Sequence, residues 1–232
     1  MYGFKFGVFL SDLPKIMRAM PVTLLLTVSA LAFGLALGAL LCVARMGKRA
    51  ALRRIGDAYV AFIRGVPQLV LIFLLYLGLP QLLKGIGVDM TSIDKHIYLT
   101  GIFAIALSAP ISELMRSAYL AVDKSQMEAA LSVGMKRFAA FRRIIFPQAF
   151  GIALPSLGNQ VILAFKLTAL AFSIGVADLM GRARIISAQG HGTRRLESYL
   201  AVALIYWGVC ALLEQANRAL VRRYSRRVRQ CA

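Results

Sequence analysis

The chain has 232 residues, 59% of them apolar, with a mean hydropathy of +0.70 and a formal net charge of +18. Apolar content this far above half excludes an ordinary soluble domain. Three widely separated cysteines, Cys42, Cys210 and Cys231, exclude a disulfide framework and read as packing residues.

Residues 1–20 form a polar–apolar lead-in, read as an interfacial helix. The first apolar run starts only after Lys5, Asp12, Lys15 and Arg18, so no cleavable signal peptide is expected. Uncharged runs then follow: Val22–Val43, Gly65–Leu83, His96–Ser112, Pro147–Phe165 and Ser198–Leu213. A bilayer core about 30 Å thick needs roughly 20 apolar helical residues. Two runs reach that length, and the others can be completed by helix ends whose Lys or Arg snorkels to the interface. The expectation is an all-α membrane protein with about five transmembrane helices in one domain spanning residues 1–232. Residues 45–57 read as a basic loop, 84–95 as a second loop and 181–197 as a third.

Basic residues alternate in density along this topology. With the N-terminus outside, the inner segments carry 16 Lys and Arg and the outer segments 9. That asymmetry follows the positive-inside rule and puts the C-terminus in the cytoplasm. The basicity therefore points to anionic lipid and orientation, not to nucleic acid. The basic cluster from Arg182 to Arg195 runs against the trend and could face an acidic partner outside.

The stretch SQMEAALSVGMKRFAAFRRIIFPQAF, Ser125 to Phe150, interrupts two apolar regions. Ser125 and Glu128 have capping-box spacing, which predicts a helix start. Glu128 also suits the positive end of that helix. Ala129 and Ala130 allow close approach by another surface, and Gly134 stands where a C-terminal cap would stop the helix. Phe138, Phe141 and Ile145 recur at helical spacing among Lys136, Arg137, Arg142 and Arg143, which predicts a second, amphipathic helix. Pro147 favours an extended residue before it and marks entry to the next span. The expected element is helix, sharp turn, helix against the inner surface.

Glu128-Ala129-Ala130, Gly134, Ile144 and Pro147 resemble the cytoplasmic EAA loop of ABC importer permeases. Three further segments resemble the polar-amino-acid branch, the histidine- and glutamine-type permeases. FIRGVPQLVLIFLLYLGLP contributes Arg64, Gly65, Pro67, Tyr76, Gly78, Leu79 and Pro80. The segment before the EAA loop contributes Glu113 and Arg116. FPQAFGIALPSLGNQVILAFKLTAL contributes Pro147, Gln148, Ala149, Pro155, Leu157, Asn159, Lys166, Thr168 and Leu170. The resemblance covers roughly residues 20–225. Val66, Pro110, Ser125, Leu167 and Ala169 depart from the family pattern. Leu167, Ala169 and Pro110 bear on substrate, not on class.

The resemblance implies a type I ABC importer transmembrane domain in a bacterial inner (cytoplasmic) membrane. Residues 123–147 would be its cytoplasmic coupling loop. Ser125, Glu128, Ala129, Ala130, Gly134, Met135 and Phe138 would dock in a separate ATP-hydrolysing subunit, which binds the ATP and Mg2+. Further implied partners are a second permease subunit, identical or related, an extracytoplasmic substrate-binding protein and a polar amino acid, with cystine or basic amino acids within that class. Arg64, Gly65, Pro67, Glu113, Arg116, Asn159, Gln160, Lys166 and Thr168 are the translocation-path or gating candidates.

Local readings stay beside these. Glu113 and Arg116, three apart, can form an ion pair. Arg64 can anchor a span end, and Lys166 can either line a path or anchor a span. Asn159 and Gln160 can bond across helices. No P-loop pattern occurs, and neither His96 nor His191 has a metal-ligand partner at helical spacing, so no catalytic, cofactor or metal site is expected in this chain. The rival readings are an importer for another small solute and a secondary transporter, which would need inverted repeats.

Overall fold

The computed structural model describes residues 4–89, 93–189 and 194–230, with side chains to residue 226. Among these residues every regular element is helical. They are α1 (Phe6–Met17), α2 (Met20–Met46), α3 (Ala50–Gly65), α4 (Gln68–Phe73), α5 (Leu79–Lys84), α6 (Lys95–Leu120), α7 (Lys124–Ser132), α8 (Arg137–Ala140), α9 (Phe146–Leu167), α10 (Leu179–Gln189) and α11 (Arg195–Gln230). Wide π turns at Leu74–Gly78 and Phe141–Ile145 join α4 to α5 and α8 to α9. A 3₁₀ segment, Thr168–Ile174, extends α9.

Four described helical stretches are long and apolar enough to cross a bilayer: α2, α6, α8 through the 3₁₀ segment, and α11. A fifth crossing is counted when α3 and the Gln68–Lys84 stretch, which meet at 113°, are taken as one span. The break has a local cause. Val66 is extended (φ −91°, ψ 132°) ahead of Pro67, whose ring disfavours a helical residue before it.

Helix α6 is the centre. Its apolar window is 61% buried, against 28% for both α2 and α11. Leu99, Phe103, Leu107 and Ile111 are almost inaccessible and pack with residues of α2, α3, α4 and α9. The broadest contact is with α2. Gly34 and Gly38 face α6, and a Cβ on Gly38 would lie 2.6 Å from Ile111 Cγ2. Without water to drive association, small residues that let backbones approach are what close a membrane helix pair.

A second packing centre holds α1, α10 and the start of α11 around Phe165. The lead-in is a helix, and buried Asp12 pins it: Ser198 Oγ donates to Asp12 Oδ2 at 2.9 Å. The backbone N–H of Lys5 also donates to Glu197 Oε1 at 2.9 Å.

Three expectations about connections are corrected. Residues 45–57 are not a loop: only Gly47–Arg49 separate α2 from α3, whose buried Gly56, Val60 and Ile63 lie on one face. Most of 181–197 is not loop either, because α10 occupies it as far as Gln189. Residues 190–193, with His191, lie outside the described residues, as does Cys231. Phe146 is helical (φ −61°, ψ −45°), not extended. The π turn just before it widens the helix, which relieves the clash Pro147 would otherwise make with the preceding turn. The same pairing recurs at Leu74–Gly78 ahead of Pro80.

Candidate functional site

The link that follows α6 is short and tightly bonded. Ala121 N–H donates to Ser117 O at 3.0 Å and Val122 N–H to Tyr119 O at 3.3 Å. Helix α7 then starts two residues earlier than the capping-box reading. Asp123 is the N-cap, accepting from the N–H of Ser125 at 2.9 Å. Ser125 is therefore inside the first turn, and Glu128 lies beyond it, so neither caps the helix. A carboxylate outcompetes a hydroxyl for the orphan amides at a helix start, and Asp123 stands in position to do so. Bonds from Ser125 hold the Asp123 carboxyl below the usual carboxylate range.

The end of α7 follows the sequence reading. Gly134 has φ +79°. Its N–H donates to Leu131 O at 3.0 Å, and Met135 N–H donates to Ala130 O at 3.1 Å. This reciprocal pair satisfies the last carbonyls with a left-handed residue between them, a role suited to glycine.

Helix α7 is held by its ends more than by its flank. Ala130 is its one buried residue, and Lys124, Ser125, Glu128 and Ala129 face outward. A cavity of about 340 Å³ separates it from the end of α6 and from α8, lined by Tyr119, Val122, Met127, Leu131 and Ile145 among others. Beside the Gly134 turn, Val133 is 78% and Phe138 73% exposed, and Met135 is half-buried. The arrangement is a short stiff rod with apolar side chains at its tip.

The path candidates do not share one surface. Arg64, Gly65 and Pro67 are exposed at the 113° bend. Glu113 and Arg116 form the expected ion pair at 3.0 Å on α6. On α9, Asn159 and Lys166 are exposed, while Gln160 is half-buried with its Oε1 unpartnered. Thr168 is fully buried. It donates to Phe165 O at 2.8 Å and lies 3.5 Å from the Tyr206 hydroxyl. The bonds described between α9 and α11 come from neither Asn159 nor Gln160: Asn217 Nδ2 donates to Pro155 O at 3.1 Å and Tyr224 Oη to Pro147 O at 2.7 Å.

Two clusters escaped the sequence reading. Arg45 bonds Asp57 and Glu113, joining α2, α3 and α6. The signal was Asp57, the one acid between Asp12 and Asp89. Buried Asp178 caps α10 through Gly181 N–H at 2.8 Å and accepts from Tyr206 Oη at 3.1 Å. Nothing in the spacing of Asp178 and Tyr206 announces that pair.

The profile of the family described as "Binding-protein-dependent transport system inner membrane component" matches residues 30–226. The chain belongs to that family. This inner membrane component is 42% identical, over 93% of its length and 94% of the relative's, to a probable amino-acid ABC transporter permease protein, PatM, of Vibrio harveyi. It is 36% identical, over 90% and 87%, to the L-cystine transport system permease protein TcyL of Bacillus subtilis. It also matches, with a TM-score of 0.83 and 31% identity, a chain in the crystal structure of an amino acid ABC transporter with histidines, covering 95% of this chain and 99% of that one. A chain of the MetNI methionine ABC transporter shares the fold at a TM-score of 0.66 and 18% identity, covering 94% of this chain and 97% of that one. The component is thus a permease with the type I ABC importer fold, its regular elements all helical among the described residues.

Proposed function

We propose that this chain imports polar amino acids as the permease half of an ATP-driven complex, with α7 as its coupling helix. The observation that carries the reading is α7 itself: a rod fixed at both ends, capped at Asp123, stopped at Gly134 and tipped by exposed Val133 and Phe138. Outside the bilayer, lipid does not account for exposed apolar side chains, and a groove in a soluble partner does. That partner is an ATPase subunit, which binds ATP and Mg2+. Its closure pushes on α7, and the push reaches α6 and α9. Shifting a two-state pore from 1:99 to 99:1 takes about 5.5 kcal/mol of differential binding.

The topology that suits this mechanism has the N-terminus outside and the C-terminus in the cytoplasm. The excess of Lys and Arg on the α7 side supports it. A second permease subunit completes the pore, and a substrate-binding protein delivers the solute at the outer face. The relatives named for amino acids and for cystine support a polar amino acid as substrate. The chain itself carries out no covalent chemistry.

Uptake by the complete complex in vesicles tests the proposal. Glu128→Lys and Gly134→Asp should abolish uptake while the chain still inserts. Unchanged uptake in both variants would contradict the coupling role. Ligand binding by the matching substrate-binding protein tests the substrate class.

A further inference from the structure

One guanidinium ties three helices together at the inner side of the molecule. Arg45 Nε donates to Asp57 Oδ1 of α3 at 2.7 Å. Its Nη1 donates to Ser112 Oγ at 3.3 Å and its Nη2 to Glu113 Oε2 at 2.8 Å, both on α6. Arg116 Nη2 holds the other oxygen of Glu113 at 3.0 Å. The Arg45 side chain is only 6% exposed. Its stem crosses α3 at Gly56, where a Cβ would come within 2.7 Å of Arg45 Cγ. An arginine that merely marked the inner side of a span would snorkel outward to headgroups and water. This one is turned inward, over a glycine that makes room for it, onto two carboxylates from two other helices.

The stiffness of the surrounding elements says what such a tie does. The three-residue link from α6 to α7 is closed by backbone bonds, so α7 inherits its orientation from the end of α6. On its other side α7 meets the left-handed Gly134 turn and then the π turn at Phe141–Ile145, both departures from regular helix. Within α6, Pro110 lacks the N–H that would complete the helix ladder, and the turns that follow it to Leu120 contain Ser112 and Glu113. Arg45 fastens those turns to α3, and α3 runs directly into the bend at Val66 and Pro67.

We infer that Arg45 is a positioning residue for transport: it makes α3 and the inner part of α6 one rigid body, so that displacement of α7 reaches the α3–α4 bend. The inference rests on the reading of α7 as the coupling helix. Arg45 is assigned no contact with substrate or nucleotide. It acts through Asp57 and Glu113, and its loss disconnects the bend from the lever.

The test uses the complete transporter with its ATPase and substrate-binding protein in proteoliposomes, with ATP hydrolysis and uptake measured on the same preparation. In Arg45→Met, hydrolysis should stay within about twofold of the parent while uptake falls about tenfold, so that ATP spent per molecule imported rises by about the same factor. Arg45→Lys should fall between, because a single ammonium cannot fork to two carboxylates. Spin labels at the exposed positions Leu52 on α3 and Ser132 on α7 supply a readout that a purely structural role would not move. Their distance should be the same with and without ATP in the parent, and should change with ATP in Arg45→Met. Proportional loss of uptake and hydrolysis, tracking the amount of assembled complex, would overturn the inference. So would tight coupling retained in Arg45→Met. If Arg45→Met does not assemble, Asp57→Asn, which leaves the Glu113 pair in place, carries the same readouts: loss of coupling supports the inference and retained coupling overturns it. Glu128→Lys separates the two claims. If it and Gly134→Asp both leave uptake intact, the coupling reading fails; if it abolishes uptake while Arg45→Met stays coupled, only the role of Arg45 fails.

Discussion

Gly38 lies beneath Ile111 so closely that no other side chain fits: a Cβ there would stand 2.6 Å from Ile111 Cγ2 and 3.0 Å from the Ser108 carbonyl oxygen. Gly34, one turn earlier, is nearly as tight against Leu107. Overpacking a filled interface costs about 1–3 kcal/mol. Gly38→Val should lower the thermal midpoint of the purified complex by several degrees, and Gly65→Ala, where no atom lies within reach of a Cβ, should not. Equal midpoints for the two variants would mean that α2 and α6 do not meet as described.

Tyr206 of α11 bonds the buried Asp178 carboxyl that caps α10. Removing one partner of a buried bond leaves the other unpaired, at about 1–3 kcal/mol. Asp178→Ala should destabilise more than Tyr206→Phe, because it also removes the α10 cap. Thermal unfolding in detergent measures both.

Gly134 has no neighbour within reach of a Cβ, so its constraint is conformational and not steric crowding. A left-handed backbone costs an ordinary residue about 1–2 kcal/mol, and asparagine tolerates it better than alanine does. Uptake per unit of inserted chain should therefore rank glycine, then Asn, then Ala at this position. Equal uptake for all three would mean that the turn bears no load.

The cap on α7 carries a pH signature. Bonds from Ser125 favour the ionised form of Asp123 and lower its pKa. A carboxylate depressed in the folded state contributes stability above its unfolded value and loses it as pH falls through the folded one. Amide exchange protection at the start of α7 should hold steady from neutral pH down to about 4 and drop below that. Asp123→Asn should keep protection and remove the pH dependence, and Asp123→Ala should reduce protection throughout.

Much of this was legible in the sequence because bilayer physics is coarse. Uncharged runs mark the spans, and Gly134 marks its own turn. The misreadings share a cause: a local rule was overruled by a neighbour. Ser125 satisfies the capping-box spacing, but Asp123, two residues earlier, is the stronger cap. Pro67 breaks its helix as the rule demands, whereas Pro147 does not, because the π turn before it absorbs the strain. Residues 45–57 look like a loop by charge, yet α3 buries one face there and shows its arginines on the other. The Arg45 tie was hidden because its partners lie 12 and 68 residues away in the chain.

The most direct test of the central claim is thiol labelling of α7 in the assembled complex, with native cysteines replaced and Ala129→Cys introduced. Ala129 faces outward, so its thiol should react with a membrane-impermeant reagent only in inside-out vesicles, and binding of the ATPase subunit should protect it. Labelling from the outer side, or reactivity unchanged by the ATPase, would contradict the account.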